Sequence, residues 1–161
     1  MSFSHFVLEL SEKISPARIA YAHCDIPCGI YDPHLAQMAA HTVIRTVNLI
    51  NEAENDTHKI ARLTAVKEHH AELCKQEIRI LWGDYFKPEH VKDYPELHEL
   101  VWKVMKVGSK ARQEVNLQAS EELLETVNKI AEIFWKTKGI DTLRMKSPYP
   151  TGKETVYPKL K

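Results

Sequence analysis

His23, Cys24 and Cys28 stand in one short stretch, His23-Cys24-Asp25-Ile26-Pro27-Cys28-Gly29-Ile30-Tyr31, which holds two of the chain's three cysteines. One imidazole and two thiols fall short of the four side-chain ligands that structural zinc takes in a tetrahedron. The donor set changes if His23 begins a mature chain. Its α-amine then becomes a ligand, and the amide nitrogen of Cys24, once deprotonated, becomes another. Amine, amidate and the Cys24 thiolate close two fused five-membered chelate rings, and the loop through Asp25, Ile26 and Pro27 returns the Cys28 thiolate to the remaining in-plane position. Two nitrogens and two sulfurs in a plane suit Ni(II) or Cu(II). The His23 imidazole, carried by the same residue as the amine, reaches an axial position and favours a higher oxidation state. The stretch reads as a metal-binding hook with a redox role.

The segments on either side of the hook must expose it and hold it. Phe6-Val7-Leu8 is too short for the apolar region of a secretory signal, and Glu9, Glu12 and Lys13 place charges directly after it. Ala20-Tyr21-Ala22 offers a small-x-small pattern to a protease directly before His23. Residues 1–22 are therefore expected to be a propeptide, removed by a maturation protease that cuts between Ala22 and His23. The full-length chain is then an inactive precursor, because the His23 nitrogen is an amide until it is cut.

Behind the hook the pattern is helical, and the expected fold class is all-α, an up-down four-helix bundle over 32–139. Asp32-Pro33 reads as a helix start, followed by Leu35, Met38, Ala39, Thr42, Val43, Thr46, Val47 and Ile50 on one face. Residues 51–56 read as a connection. Ile60, Leu63, Val66, His70, Leu73, Cys74, Glu77, Ile78 and Leu81 trace the second stripe. A third helix is predicted from Tyr94-Pro95 to about Val115. A fourth is predicted from an N-cap at Ser120 to a stop at Gly139. No stretch alternates with period two long enough to predict a sheet. Residues 140–161, rich in proline and lysine, are expected to be a tail, either lying across a surface or a neighbouring subunit, or disordered.

Composition narrows the function classes. A chain of 161 residues has room for one real core. Lysine plus arginine equals aspartate plus glutamate, 22 of each, which leaves no charge footprint for nucleic acid or an anionic membrane surface. No run approaches the roughly 18 apolar residues that span a bilayer. Three cysteines make no disulfide framework, and a cytoplasmic location is expected. Cys74, among apolar helix positions, is expected to be a buried, inert thiol.

The run from His23 through Asp32-Pro33 resembles the nickel hook of the nickel-containing superoxide dismutases. Leu81-Trp82-Gly83-Asp84-Tyr85-Phe86-Lys87-Pro88 with Tyr94-Pro95-Glu96-Leu97-His98 resembles a second block of that family, and Ile133-Phe134-Trp135-Lys136-Thr137-Lys138 resembles its final helix. The resemblance implies disproportionation of superoxide to dioxygen and hydrogen peroxide at a mononuclear Ni(II)/Ni(III) centre, one nickel ion per subunit, held by His23, Cys24 and Cys28. It implies that Tyr31 and Tyr85 line the access to the metal, that Asp25 and Lys87 support the hook and its entrance, and that Pro27 sets the turn returning Cys28. An ammonium at Lys87 would also attract a small anion. The hook projects from the start of the first helix and needs a neighbour to cover it, so a homo-oligomer is expected, by resemblance a hexamer. By the resemblance, the family's glutamate and arginine that orient the axial imidazole are replaced here by Ala39 and His70, which leaves His70 either as the candidate partner behind His23 or as a core histidine with no role. Two other readings remain: a nickel or copper carrier using the same hook without turnover, and a thiol oxidoreductase. The second lacks the Cys-x-x-Cys in a βαβ setting that usually marks it.

Overall fold

The computed structural model describes residues 29–160. Residues 1–22, expected to be a propeptide, and the expected hook residues His23, Cys24, Asp25, Pro27 and Cys28 lie outside the described residues. The described chain is mostly helical. Its elements are α1 (His34–Asn51), α2 (Thr57–Ile80), a π-helical turn (Leu81–Tyr85), α3 (Pro88–Asp93), α4 (Leu97–Gln113), α5 (Leu117–Thr137), β1 (Thr142–Lys146) and β2 (Glu154–Pro158). α1 packs against α2 and α5, and α4 packs against the same two. Ile44, Ile78, Leu97, Val104, Leu123, Val127, Ile130 and Phe134 are fully buried between them. Each such side chain contributes roughly 1.5–3 kcal/mol by leaving water.

Gly29 has φ +82 and leads the chain out of the hook. Only glycine takes that conformation without strain. Two residues before α1, the Asp32 carboxylate accepts the His34 N–H at 2.7 Å, and Pro33 at φ −73 is already shaped for the helix. The buried face of α1 carries Ala36, Ala39, Ala40, Val43, Ile44 and Val47, with Gln37 and His41 also buried. Leu35 and Met38, expected on that face, are exposed. α2 starts where expected, with the Asp56 side chain accepting the Lys59 N–H at 2.9 Å.

The stripe of α2 differs from expectation. Its buried residues are Lys67, Ala71, Cys74 and Ile78, while Val66 is exposed. A lysine can occupy this core position because its ammonium donates to the Ala111 carbonyl at 3.0 Å and to that of Arg112. Both lie in the last turn of α4, where unpaired carbonyls and the helix dipole favour a cation. Two helix starts also move. α4 begins at Leu97 after a turn closed by the Leu97 N–H on the Tyr94 carbonyl at 3.0 Å, and α3 precedes it. α5 begins at Leu117 under an Asn116 cap, whose side chain accepts the Ala119 N–H at 2.9 Å. Ser120 is no cap: it is buried, and its hydroxyl donates back to the Asn116 carbonyl at 2.8 Å.

The largest correction is a sheet where none was predicted: residues 140–161 hold a β-hairpin. β1 and β2 pair antiparallel, Leu143 opposite Tyr157 and Met145 opposite Thr155. The hairpin is held to α1 and α5 by polar groups. The Gln37 amide donates to Asn128 Oδ1 at 2.9 Å and to the Val156 carbonyl at 3.1 Å, and the Asn128 amide donates to the Glu154 carbonyl at 3.0 Å. His41 bonds Thr151 through Nδ1 at 2.8 Å and Thr155 through Nε2 at 2.7 Å. Arg144 pairs with Glu132 at 2.6 Å and with Glu125 at 2.8 Å. Thr155 and Val156, adjacent in sequence, are both buried. A strand gripped on both faces shows no alternation to read.

Candidate functional site

Tyr31 lies three residues beyond Cys28 and is the sequence-predicted site residue nearest the hook that the structure describes. Its ring meets that of Tyr85 at 5.6 Å between centroids, tilted by 54°. The two tyrosines expected to line one access route are thus brought together from positions far apart in the chain. Tyr85 is delivered by the π-helical turn, in which the Phe86 N–H reaches back to the Leu81 carbonyl at 3.0 Å. The wider turn carries the last residue off the α2 register, and such turns recur where a side chain must be re-aimed. Phe86 then adopts extended backbone and ends it.

The Tyr85 ring is walled by aromatic groups. Phe134 lies at 4.6 Å, Phe86 at 5.2 Å, and His90 is stacked at 5.6 Å. The Lys138 ammonium sits 5.1 Å from the Tyr85 ring and 5.0 Å from that of Phe134, a cation over two π faces. The Tyr85 hydroxyl meets Thr137 Oγ1 at 2.7 Å. Sequence reasoning does not single out Phe134, Thr137, Lys138 or His90 as site residues. The first three sit at the end of α5, inside the Ile133–Lys138 block that carries the family resemblance, and that block is the available signal.

Lys87 is exposed at the start of α3, where its N–H donates to His90 Nδ1 at 3.2 Å. With Trp82, Phe86 and His98 it lines a surface cavity. Its side chain is therefore open to solvent.

The two positions expected to lie behind the axial imidazole are both on helices. Ala39 is buried in α1. His70 on α2 is half-buried with its Nδ1 enclosed and without a hydrogen-bond partner among the described residues. The His69 ring lies edge-on to it at 5.3 Å. Burial first, and the neighbouring His69 second, lower the His70 pKa and favour the neutral ring. Cys74 is fully buried, and burial pushes its thiol up to about 12, as an inert core thiol requires. Among the described residues, no group of three or more His, Cys, Asp or Glu could hold a metal ion, and no helix is long and apolar enough to cross a membrane.

A mostly helical body in which Tyr31 meets Tyr85 follows a short segment that carries two of the chain's three cysteines. Residues 18–138 match the family model for nickel-containing superoxide dismutase. The curated superoxide dismutase [Ni] of Streptomyces seoulensis is 40% identical over 129 residues, which are 80% of this chain and 98% of that protein. The superoxide dismutase [Ni] of Streptomyces coelicolor matches to the same extent. A solved native nickel superoxide dismutase superposes with TM-score 0.68 at 40% identity, over 73% of this chain and 99% of its own. A structure of the apo form superposes with TM-score 0.66 at 38% identity, over 69% and 99%. The chain belongs to the nickel-containing superoxide dismutases.

Proposed function

We propose that this chain carries out the nickel-dependent disproportionation of superoxide at a centre formed by His23, Cys24 and Cys28 once residues 1–22 have been removed. The observation that carries the placement is the convergence of Tyr31, three residues after Cys28, with Tyr85 at 5.6 Å. The donor chemistry would suit nickel: the α-amine of His23, the amide nitrogen of Cys24 and the thiolates of Cys24 and Cys28 would form a strongly donating set. Bound there, nickel supplies one-electron chemistry between Ni(II) and Ni(III).

The remaining roles fall to the protein. Lys87, exposed beside the entrance, attracts the anionic substrate. Tyr31 and Tyr85 narrow the approach, and Asp25 and Pro27 hold the hook's turn. His70, with an enclosed Nδ1 that has no partner among the described residues, is the candidate to bond the His23 imidazole in place of the missing carboxylate at Ala39. The four long helices, packed α1 on α2, α2 on α4, α4 on α5 and α5 on α1, support reading 32–139 as an up-down four-helix bundle that presents the hook at one end. A hexamer in which a neighbouring subunit covers the hook, and a cytoplasmic location, complete the reading.

The test is a set of chains beginning at His23, at Ala22 and at Met1, each loaded with nickel and assayed for superoxide decay. The His23 chain is expected to be active and the other two inactive, because only in the first is the His23 nitrogen itself a free α-amine, which with a reference pKa near 8 binds as a neutral donor near neutral pH. Equal rates from the Ala22 and His23 chains would remove the terminal amine from the ligand set. Nickel binding without superoxide decay in the His23 chain would favour a carrier.

A further inference from the structure

We propose that Thr137 fixes the direction of the Tyr85 phenolic proton, so that Tyr85 meets the entrance as a hydrogen-bond acceptor and does not donate to the incoming anion. The proposal rests on the reading that Tyr85 stands at the entrance to the hook.

A count of protons decides the direction. Thr137 Oγ1 carries one, and it has two partners: the Phe134 carbonyl at 2.7 Å and the Tyr85 oxygen at 2.7 Å. A carbonyl can only accept, so the threonine proton is committed to Phe134. That commitment has a cause at the end of α5. The Lys138 amide, which would ordinarily close on Phe134, bonds the Trp135 carbonyl at 3.0 Å, and the Gly139 and Ile140 amides go to Lys136 and Trp135. The Phe134 carbonyl is one of the unpaired carbonyls of a helix terminus, and the threonine hydroxyl satisfies it. At the Tyr85 contact Thr137 must therefore accept, and the phenol must donate.

With its single proton turned toward α5, Tyr85 has only lone pairs left for the side facing Tyr31. The ring cannot swing to reverse this, because Phe134, Phe86 and His90 pack against it at 4.6 to 5.6 Å. Superoxide and the product peroxide are acceptors, so a proton delivered to them comes from a group other than Tyr85. Tyr85 instead accepts a hydrogen bond from that donor and orients it. Thr137 is in this sense a positioning residue, acting on the entrance through Tyr85 with no contact to substrate.

Two measurements on the processed protein test this. Neutron diffraction after deuterium exchange is expected to place a deuteron on Tyr85 Oη directed at Thr137, and another on Thr137 Oγ1 directed at the Phe134 carbonyl. Inhibition of superoxide decay by azide, a stable small anion, is then compared among the native protein, Thr137→Val and Thr137→Ser. Thr137→Val frees the phenolic proton to turn to the entrance, so azide should bind more tightly, on the order of tenfold for one charge-assisted hydrogen bond. Thr137→Ser restores the acceptor and should match the native protein. A deuteron on Thr137 Oγ1 directed at Tyr85 would overturn the proposal, as would native azide affinity in both variants. Nickel content reads the hook separately, so failure of the ligand assignment would show there and leave the neutron result to stand on its own.

Discussion

The last turn of α5 and its middle turns serve two clusters of opposite character. At the end, Phe134, Thr137 and Lys138 surround Tyr85 with ring faces and one hydroxyl contact. In the middle, Glu121, Glu125, Asn128 and Glu132 meet the hairpin through amides and ion pairs. The first cluster lies within residues 18–138, which match the family, whereas the second reaches across to residues beyond that match. The aromatic cluster shapes an approach to chemistry and adds little specific bonding. The polar cluster ties α1 to α5 through groups that would be costly to bury unpaired. Activity and stability should therefore separate between the two.

The sharpest way to break that separation is Cys28→Ser, which replaces a thiolate by a far weaker donor. Nickel binding in its planar form and superoxide decay should both fall to the level of the metal-free chain, while urea unfolding of the metal-free protein shifts by no more than about 0.5 kcal/mol. A large loss of metal-free stability would show that the hook also holds the body together.

Next in size is the acid response of the polar cluster. Burial first, and the charge of His34 second, hold His41 down to about 4 against an ordinary 6.5. The folded protein keeps the ring neutral while the unfolded chain protonates it. Stability from this residue is thus fully present above pH 6.5 and is lost as pH falls toward 4, by about 3 kcal/mol. Urea unfolding of the metal-free chain at pH 7, 5.5 and 4.5 reads this directly, and His41→Gln should flatten that part of the profile. Asn128→Ala should cost about 2 kcal/mol, since it removes one of the two hydrogen bonds of the buried Gln37 amide and the side-chain donor to the Glu154 carbonyl, and should leave superoxide decay per bound nickel unchanged. The smallest effect belongs to Arg144→Gln. Its ion pairs with Glu132 and Glu125 are partly exposed, so a loss below about 1 kcal/mol is expected in thermal unfolding.

How far the sequence reveals these regions depends on the forces that build them. The start of α1 and the connection before α2 are legible because local signals, an Asp-Pro pair and a polar run, act on their own backbone. The start of α5 is ambiguous in sequence because Asn116 and Ser120 are both plausible caps, and only packing decides for Asn116. Lys67 escapes notice because a buried lysine makes sense only when the end of another helix, far along the chain, is placed beside it. The hairpin is hidden for the same reason: its partners are Gln37, His41 and Asn128, and nothing in 140–161 announces them. Of the candidate site, Tyr31, Tyr85 and Lys87 come from matching blocks. Thr137 stands inside one of those blocks, and its part emerges only from hydrogen-bond geometry.

Lys67 also gives the protein an internal clock. Burial lowers its pKa, and its amine points into the carbonyls of α4, so an amine-reactive label cannot reach it while α2 and α4 stay packed. The exposed Lys87, Lys136 and Lys138 modify at the pace of the reagent. Lys67 should modify at the pace of the opening of the α2 and α4 contact, so the ratio of the two labelling rates times the breathing of the core without any unfolding agent.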